Sequence, residues 1–157
     1  MKLMIKVNTK APDFSLLSTS GEKQKLKNLI GKYVVIYFYP KDDTPGCTIE
    51  TNDFNKLLPK FKKLNCEIFG ISKDTIKSHD KFREKFKIKF DLLSDEEIKV
   101  LKKYKVWGKK KFMGREFMGI IRSTILIDKK GKVIKVWDNV KVKDHAKEVL
   151  ETLKSLR

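Results

Sequence analysis

The chain contains a strand pattern that leads through a short turn directly into a helix, and this restricts its fold more than any other feature. Residues 33–39 are continuously apolar and rich in β-branched and aromatic side chains. Such a run is typical of a strand that is buried on both faces of a sheet. Residues 47–64 then repeat apolar side chains at helical spacing, with Pro59 expected to bend the helix. Together the two segments predict the start of a βαβ unit.

The remaining elements are predicted by the same two periodicities. They are strands at 67–72 and 90–93, helices at 75–86, 96–104 and 143–156, and a hairpin formed by 123–128 and 133–137. This order predicts an α/β protein with a thioredoxin-like fold, in which helices flank both faces of a central mixed β-sheet. A flavodoxin-like fold is the main alternative, but it would end on alternating parallel strands rather than on a hairpin.

Length and composition fit a single domain that spans residues 1–157. A chain of this size buries a core without disulfide staples, and its two cysteines agree with a reducing compartment. Its apolar runs fall far short of the ~20 residues that span a bilayer. Residues 1–7 do not resemble a signal peptide, because their apolar stretch is short and interrupted by Lys6. We therefore expect a cytoplasmic protein that does not associate with membranes.

The net charge of +17 raises the question of nucleic-acid binding. Of the 37 basic residues only four are arginine, the residue on which base and phosphate readers depend. The lysines are spread along the whole chain, and no zinc-finger or RNA-recognition pattern is present. We expect a lysine-rich solvated surface and no specific nucleic-acid partner. A basic, non-enzymatic binding or holdase protein with the same fold is an alternative.

Cys47 is the candidate reactive group, because it lies where the turn enters the helix. Free backbone N–H groups at a helix N-terminus stabilise a thiolate. Thr44 carries a hydroxyl that can donate to the thiolate or to a bound oxygen, and Pro40 and Pro45 stiffen the turn and limit water access. Glu50, one helical turn further on, is placed to orient an arginine. A small buried core cysteine is the alternative interpretation of Cys47.

Several separated motifs resemble one family. They are Pro40, Thr44 and Cys47 in the pattern PxxxTxxC, residues 11–14 (Ala-Pro-Asp-Phe), Trp107-Gly108, Met118-Gly119-Ile120, and Arg122-Ser123-Thr124. In this order the sequence resembles the peroxiredoxins, and in particular the bacterioferritin comigratory protein or peroxiredoxin Q subfamily. The resemblance extends over nearly the whole chain.

The resemblance implies an antioxidant, thiol-dependent peroxidase on a thioredoxin-like fold, with no cofactor. It implies that Cys47 attacks hydrogen peroxide or an organic hydroperoxide and becomes a sulfenic acid. It also implies that Thr44 and Arg122 line the peroxide, that Pro40 shields the site, and that Glu50 holds Arg122 in place. Arg122 is also a candidate without the resemblance, because it directly precedes a strand that is predicted to be buried.

The sequence departs from the subfamily at Asn52, where many members carry a second cysteine. The other cysteine of the chain is Cys66, and a disulfide needs Cα atoms within about 7 Å. The intervening helix would span on the order of 25 Å. We therefore expect a one-cysteine cycle with an external thiol reductant such as thioredoxin or glutaredoxin. A two-cysteine cycle with Cys66 as an atypical resolving thiol is the alternative, and a dithiol oxidoreductase is not supported because no C-x-x-C is present.

Three further expectations concern metal sites, a basic loop and assembly. His79 and His145 are expected to be isolated on polar helices without metal-ligand spacing, so no metal site is predicted. The basic loop around Lys109-Lys110-Lys111 contains several apolar side chains, which we expect to pack as ordinary loop residues. They are Trp107, Phe112, Met113, Phe117 and Met118. An apolar collar around the active site and a partner surface are alternatives, and the protein is expected to be a monomer or a weak homodimer.

Overall fold

The structure, a computed structural model, describes residues 5–156, so it covers only part of the segment 1–7 for which no signal peptide is predicted. The strands are β1 (Ser15–Ser18), β2 (Lys23–Lys25), β3 (Tyr33–Phe38), β4 (Cys66–Ser72), β5 (Leu92–Ser94), β6 (Trp107–Phe112), β7 (Arg115–Ile120), β8 (Ser123–Ile127) and β9 (Val133–Trp137). The helices are α1 (Pro45–Lys63), α2 (Ile76–Phe86), α3 (Lys99–Lys103) and α4 (His145–Ser155), and a 3-10 helix covers Leu26–Leu29.

Seven strands form one mixed sheet in the order β2-β1-β5-β4-β3-β8-β9. β3, β4 and β5 are parallel, and α1 and α2 make the crossovers between them. β8 pairs antiparallel with β3, and β9 pairs antiparallel with β8. The mixed sheet confirms the predicted thioredoxin-like arrangement. The antiparallel β8–β9 edge excludes the flavodoxin-like alternative.

Strand β3 divides the core into two layers, because successive side chains point to opposite faces of a strand. Val34, Ile36 and Phe38 join the cluster under α3 and the 3-10 helix, whereas Val35 and Tyr37 join the cluster under α1, α2 and α4. All five side chains are at most 1% exposed. Each buried side chain of this kind stabilises the fold by roughly 1.5–3 kcal/mol. Helices thus cover both faces of the sheet, as predicted.

Helix α1 begins at Pro45, in a position where a fixed φ favours helix and no N–H is needed. Cys47 therefore lies in the first turn. The helix continues through Pro59, which is exposed, to Lys63. No helix within residues 5–156 is long and apolar enough to cross a membrane.

The starts of α2 and α3 are fixed by side chains that lie outside the helices. Thr75 caps α2, and its side chain accepts the Ser78 N–H at 3.1 Å. Helix α3 begins three residues later than predicted, because Ile98 adopts a left-handed φ of 55°. A carboxylate oxygen of Asp95 accepts the Leu101 N–H at 2.8 Å and so supplies the missing cap.

Residues 107–120 form a hairpin of β6 and β7, so the prediction of a loop is wrong there. The pairing runs from Trp107 opposite Ile120 to Phe112 opposite Arg115. The two residues between the strands, Met113 and Gly114, have φ values of 52° and 79°. Two successive positive φ values are typical of a two-residue hairpin turn.

The expected packing of the apolar side chains in this segment is also wrong for most of them. Trp107 is half-buried against the core. The exposed ones are Phe112 (67%), Met113 (87%), Phe117 (46%) and Met118 (51%). A two-stranded ribbon is not covered on both of its faces by other parts of a fold. The side chains on an uncovered face therefore stay in solvent.

Candidate functional site

Cys47 and Arg122 are 75 residues apart in sequence, and the register of β3 and β8 brings them together. Phe38, the last residue of β3, pairs with Ser123, the first residue of β8. Because these strands are antiparallel, the residue before Ser123 lies beside the turn that follows β3. The same turn leads into α1, whose first turn carries Cys47. The site therefore lies at this end of the sheet.

Arg122 joins the thiol to a buried carboxyl group. Its Nη2 donates to Cys47 Sγ at 3.2 Å, and its Nη1 donates to Glu50 Oε1 at 2.7 Å. Cys47 and Glu50 are each 1% exposed, and the Arg122 side chain is 18% exposed. Gly46 leaves room for this contact, since a Cβ there would lie 3.3 Å from Nη2. One guanidinium thus contacts two acidic groups away from water.

Burial is the largest single influence on the pKa values of Glu50 and Arg122. Burial raises the pKa of Glu50 from 4.5 to about 7, although Arg122 opposes the shift. Within residues 5–156, Glu50 Oε2 has no hydrogen-bond partner. Burial also disfavours the charged form of Arg122, but Glu50 and Cys47 outweigh it, so the pKa of Arg122 is raised. Arg122 therefore stays cationic, and Glu50 changes its charge near neutral pH.

Thr44 and Pro40 border the same turn. Thr44 precedes α1, and its Oγ1 donates to the Lys41 carbonyl at 2.8 Å. The structure therefore does not show the donation towards Cys47 that the sequence suggests. Because the hydroxyl proton is directed at Lys41, the lone pairs of Oγ1 remain available to a donor. Pro40 follows β3 and is half-buried.

A buried network around Asp42 anchors the turn between β3 and α1. Asp42 Oδ1 accepts the Tyr39 hydroxyl at 2.6 Å. Its Oδ2 lies 2.7 Å from His79 Nδ1 and accepts the Ser78 hydroxyl at 2.8 Å. On the other side of the ring, His79 Nε2 lies 2.9 Å from the Leu93 carbonyl. The turn is thereby tied to both α2 and β5.

His79 is completely buried, so the prediction that it is isolated on a polar helix is wrong. Both of its ring nitrogens face acceptors, namely the Leu93 carbonyl and the Asp42 carboxyl. Ligand-type atoms of Asp42, Asp74 and His79 also lie within 4.8 Å of one another. Hydrogen bonding accounts for this proximity, since Asp74 accepts the Asp42 N–H at 2.8 Å.

His145 is also buried rather than isolated. It is the first residue of α4, and its Nε2 lies 2.7 Å from the Thr124 hydroxyl. Burial lowers the pKa of His145 to about 4, so the ring is neutral at physiological pH. Its edge-on contact with Phe54 packs α4 against α1.

Cys66 lies at the opposite end of the sheet from Cys47. It pairs with Tyr33, the first residue of β3, whereas Cys47 follows the last one. A strand of this length spans about 20 Å. Burial raises the pKa of the Cys66 thiol to about 12, and Glu67 adds to the shift. Both thiols are free, and Asn52 is half-buried in α1.

The geometry can be compared with known proteins. The sequence profile of the AhpC/TSA family matches residues 7–136. Peroxiredoxin Bcp of Bacillus subtilis is 49% identical over 154 residues, which cover 98% of this chain and 98% of the relative. Peroxiredoxin Bcp of Escherichia coli is 40% identical over 150 residues, which cover 96% of each chain.

Solved structures agree with the sequence comparisons. A structure of Xylella fastidiosa PrxQ matches with a TM-score of 0.93 at 34% identity and covers 98% of both chains. Xanthomonas campestris bacterioferritin comigratory protein, whose structure was solved to study its alkyl peroxide reduction activity, matches with a TM-score of 0.90 at 40% identity. That match covers 96% of this chain and 99% of the other. The chain belongs to the AhpC/TSA family, and within it to the thiol-dependent peroxidases known as peroxiredoxins of the Bcp or PrxQ type.

Proposed function

We propose that Cys47 is the thiol through which this peroxidase reduces hydrogen peroxide and organic hydroperoxides. The observation that carries the proposal is the 3.2 Å contact from Arg122 Nη2 to Cys47 Sγ in the first turn of α1. A guanidinium and the free N–H groups of a helix N-terminus both stabilise negative charge on sulfur. The thiolate is the nucleophilic form of cysteine.

The thiolate attacks the terminal oxygen of the hydroperoxide, so an S–O bond forms while the O–O bond breaks. The leaving oxygen takes up a proton from solvent and departs as water or an alcohol, while the attacked oxygen keeps its own proton, so Cys47 becomes a sulfenic acid. Two electrons pass from sulfur to the peroxide. Arg122 lies where negative charge develops on the departing oxygen, and a preorganised donor at such a place lowers the barrier. Thr44 Oγ1 accepts the peroxide O–H, since its own proton is directed at Lys41.

Glu50 and Pro40 act on the site indirectly. Glu50 fixes the guanidinium through the 2.7 Å bond to Nη1, which leaves Nη2 directed at the sulfur. Pro40, half-buried at the end of β3, shields the sulfenic acid from bulk water. Both are therefore proposed as positioning residues rather than as groups that react.

We further propose a one-cysteine cycle. An external thiol attacks the sulfenic acid, which releases water and leaves a mixed disulfide on Cys47. A second thiol displaces the Cys47 thiolate and forms the oxidised reductant. The alternative cycle through Cys66 is disfavoured, because that buried thiol follows α1, which is 19 residues long, and lies at the other end of β3. Thioredoxin or glutaredoxin is the proposed reductant. The enzyme is proposed to work as a cytoplasmic single domain, monomeric or weakly dimeric.

Oxidation-state mapping tests both parts of the proposal. The protein is treated with one equivalent of hydrogen peroxide without added thiol, trapped with dimedone, and analysed by peptide mass spectrometry. The expected product is dimedone on Cys47, in the wild type and in a matched Cys66→Ser variant alike. A Cys47–Cys66 disulfide would refute the one-cysteine cycle. Peroxide consumption by Cys47→Ser at the wild-type rate would refute the role of Cys47.

A further inference from the structure

In the β6–β7 hairpin, the side chain of Lys110 lies on the opposite face from those of Lys109 and Lys111. Lys110 pairs with Phe117 across the hairpin, and strand alternation places Lys109 and Lys111 on the opposite face. Lys109 and Lys111 are exposed, whereas Lys110 is half-buried. The Lys110 ammonium donates to the Ile120 carbonyl at 2.9 Å. This lysine is thus held along the protein rather than in solvent.

A glycine opens the path that Lys110 follows. A Cβ on Gly119 would lie 3.1 Å from Lys110 Cδ, so a side chain there would push the lysine away. The carbonyl that Lys110 reaches belongs to Ile120, two residues before Arg122. The hydrogen bond therefore holds the ammonium beside the segment that carries the guanidinium of the site.

The charge of Lys110 interacts with the reacting groups. Burial lowers the pKa of Lys110, the charge of Arg122 lowers it further, and Cys47 acts in the opposite direction. Attraction between Lys110 and a Cys47 thiolate is mutual, because one interaction free energy acts on both groups.

We propose that Lys110 is a second cation of the peroxidase site, held by the Ile120 carbonyl so that its charge favours the thiolate of Cys47. The proposal rests on the proposed role of Cys47. Lys110 is a positioning residue in this scheme, since its hydrogen bond is to the backbone and its effect on sulfur acts through space. In this scheme Arg122 contacts the sulfur directly, and Lys110 acts on it from the β6–β7 hairpin.

The other titratable groups around the sulfur come from several elements. They are the guanidinium of Arg122 before β8, the carboxyl of Glu50 on α1, the phenol of Tyr37 on β3 and, near Arg122, the imidazole of His145 on α4. The phenol and the imidazole stay neutral between pH 5 and pH 9, because burial raises the pKa of the tyrosine and lowers that of the histidine. Among these four groups the carboxyl of Glu50 is the one that changes charge in that range, and its negative charge opposes the thiolate.

The test compares three single-charge variants in a Cys66→Ser background, which leaves one thiol. The rate of iodoacetamide alkylation of Cys47 is followed from pH 5 to pH 9. In Lys110→Gln the pH of half-maximal rate should rise by about 0.5–1, and oxidation by hydrogen peroxide at pH 6 should slow about 3–10-fold. Lys110→Arg should restore most of both. Lys109→Gln and Lys111→Gln remove the same charge from the other face and should change neither.

Each contrary outcome has a distinct meaning. An unchanged pH of half-maximal alkylation in Lys110→Gln overturns the proposal, even if peroxide reduction slows, because the effect is then structural. Equal shifts in all three glutamine variants also overturn it, since the general field of a +17 protein would be responsible. Failure of the proposed function is seen separately, as peroxidase activity in Cys47→Ser.

Discussion

Replacing Glu50 by glutamine should change how the stability of this protein depends on pH. Glu50 is 1% exposed, and only one of its two carboxylate oxygens has a partner within the described chain, through Arg122. Burial outweighs that ion pair and raises the pKa from 4.5 to about 7. The folded protein therefore holds the Glu50 proton more tightly than the unfolded chain does.

The size of the effect follows from that difference in proton affinity. At about 1.4 kcal/mol for each unit of pKa, the shift from 4.5 to about 7 corresponds to about 3 kcal/mol of unfolding free energy. The contribution is fully present below pH 4.5 and is lost as the pH rises through 7, because the folded state must then ionise a buried carboxyl group. Glutamine has no proton to lose. The free energy of unfolding of the wild type should thus fall relative to Glu50→Gln by about 3 kcal/mol across this range.

Urea unfolding at a series of pH values between 4.5 and 8.5 measures this difference. Both proteins carry Cys47→Ser, which removes thiol titration and oxidation from the comparison. Other buried groups, such as His145, titrate equally in both proteins and cancel. Glu84→Gln is the matched control, because that glutamate is exposed, and its difference from the wild type should stay flat.

A flat difference for Glu50→Gln would refute the reasoning. It would show that the Arg122 ion pair compensates the burial of the carboxylate in full. If the unfolding free energy of the wild type instead rose relative to that of Glu50→Gln as the pH increases, the reasoning would also be refuted. The ion pair would then stabilise the fold more than burial of the carboxylate destabilises it.

Two further substitutions test the site and the core. Arg122→Met should slow oxidation of Cys47 by hydrogen peroxide about 100-fold in stopped flow, because it removes a preorganised donor. Arg115→Met, at an exposed position on β7, should leave the rate unchanged, and equal rates in both variants would contradict the site. Gly70→Ala should lower the free energy of unfolding in urea by about 1–3 kcal/mol, because its Cβ would lie 2.7 Å from the Tyr37 ring. Adding Tyr37→Leu should then cost less than it does alone, and full additivity would contradict a steric clash.

The parts of the fold with long, uniform patterns could be predicted from the sequence. The continuous apolar run of β3 and the helical repeat of α1 are long enough to exclude other structures. The turn between β8 and β9 carries Gly131, which has a φ of 86°. The hairpin of β6 and β7 was missed because lysines and exposed apolar residues obscure its alternation. Its one local signal is the Met113-Gly114 turn.

The site could be predicted only where its residues are neighbours along the chain or share a motif. Glu50 follows Cys47 by one helical turn, so their proximity is a matter of spacing. The network around His79 could not be foreseen, because its partners come from the turn after β3 and from β5. The direction in which the Thr44 hydroxyl donates depends on the fold of the turn, which no pattern in the sequence specifies.

The two strands that pair with β3, which are β4 and β8, become available at different times while the chain is being synthesised. Pairing with β4 needs only the residues up to Ser72, whereas pairing with β8 needs a segment that leaves the ribosome much later. At 5–20 residues per second, Arg122 follows Cys47 after about 4–15 s. During this delay Cys47 lacks the contact that it makes with the Arg122 guanidinium in the finished fold. Under the proposed function, the unfinished chain therefore lacks the cation that promotes attack of Cys47 on a peroxide.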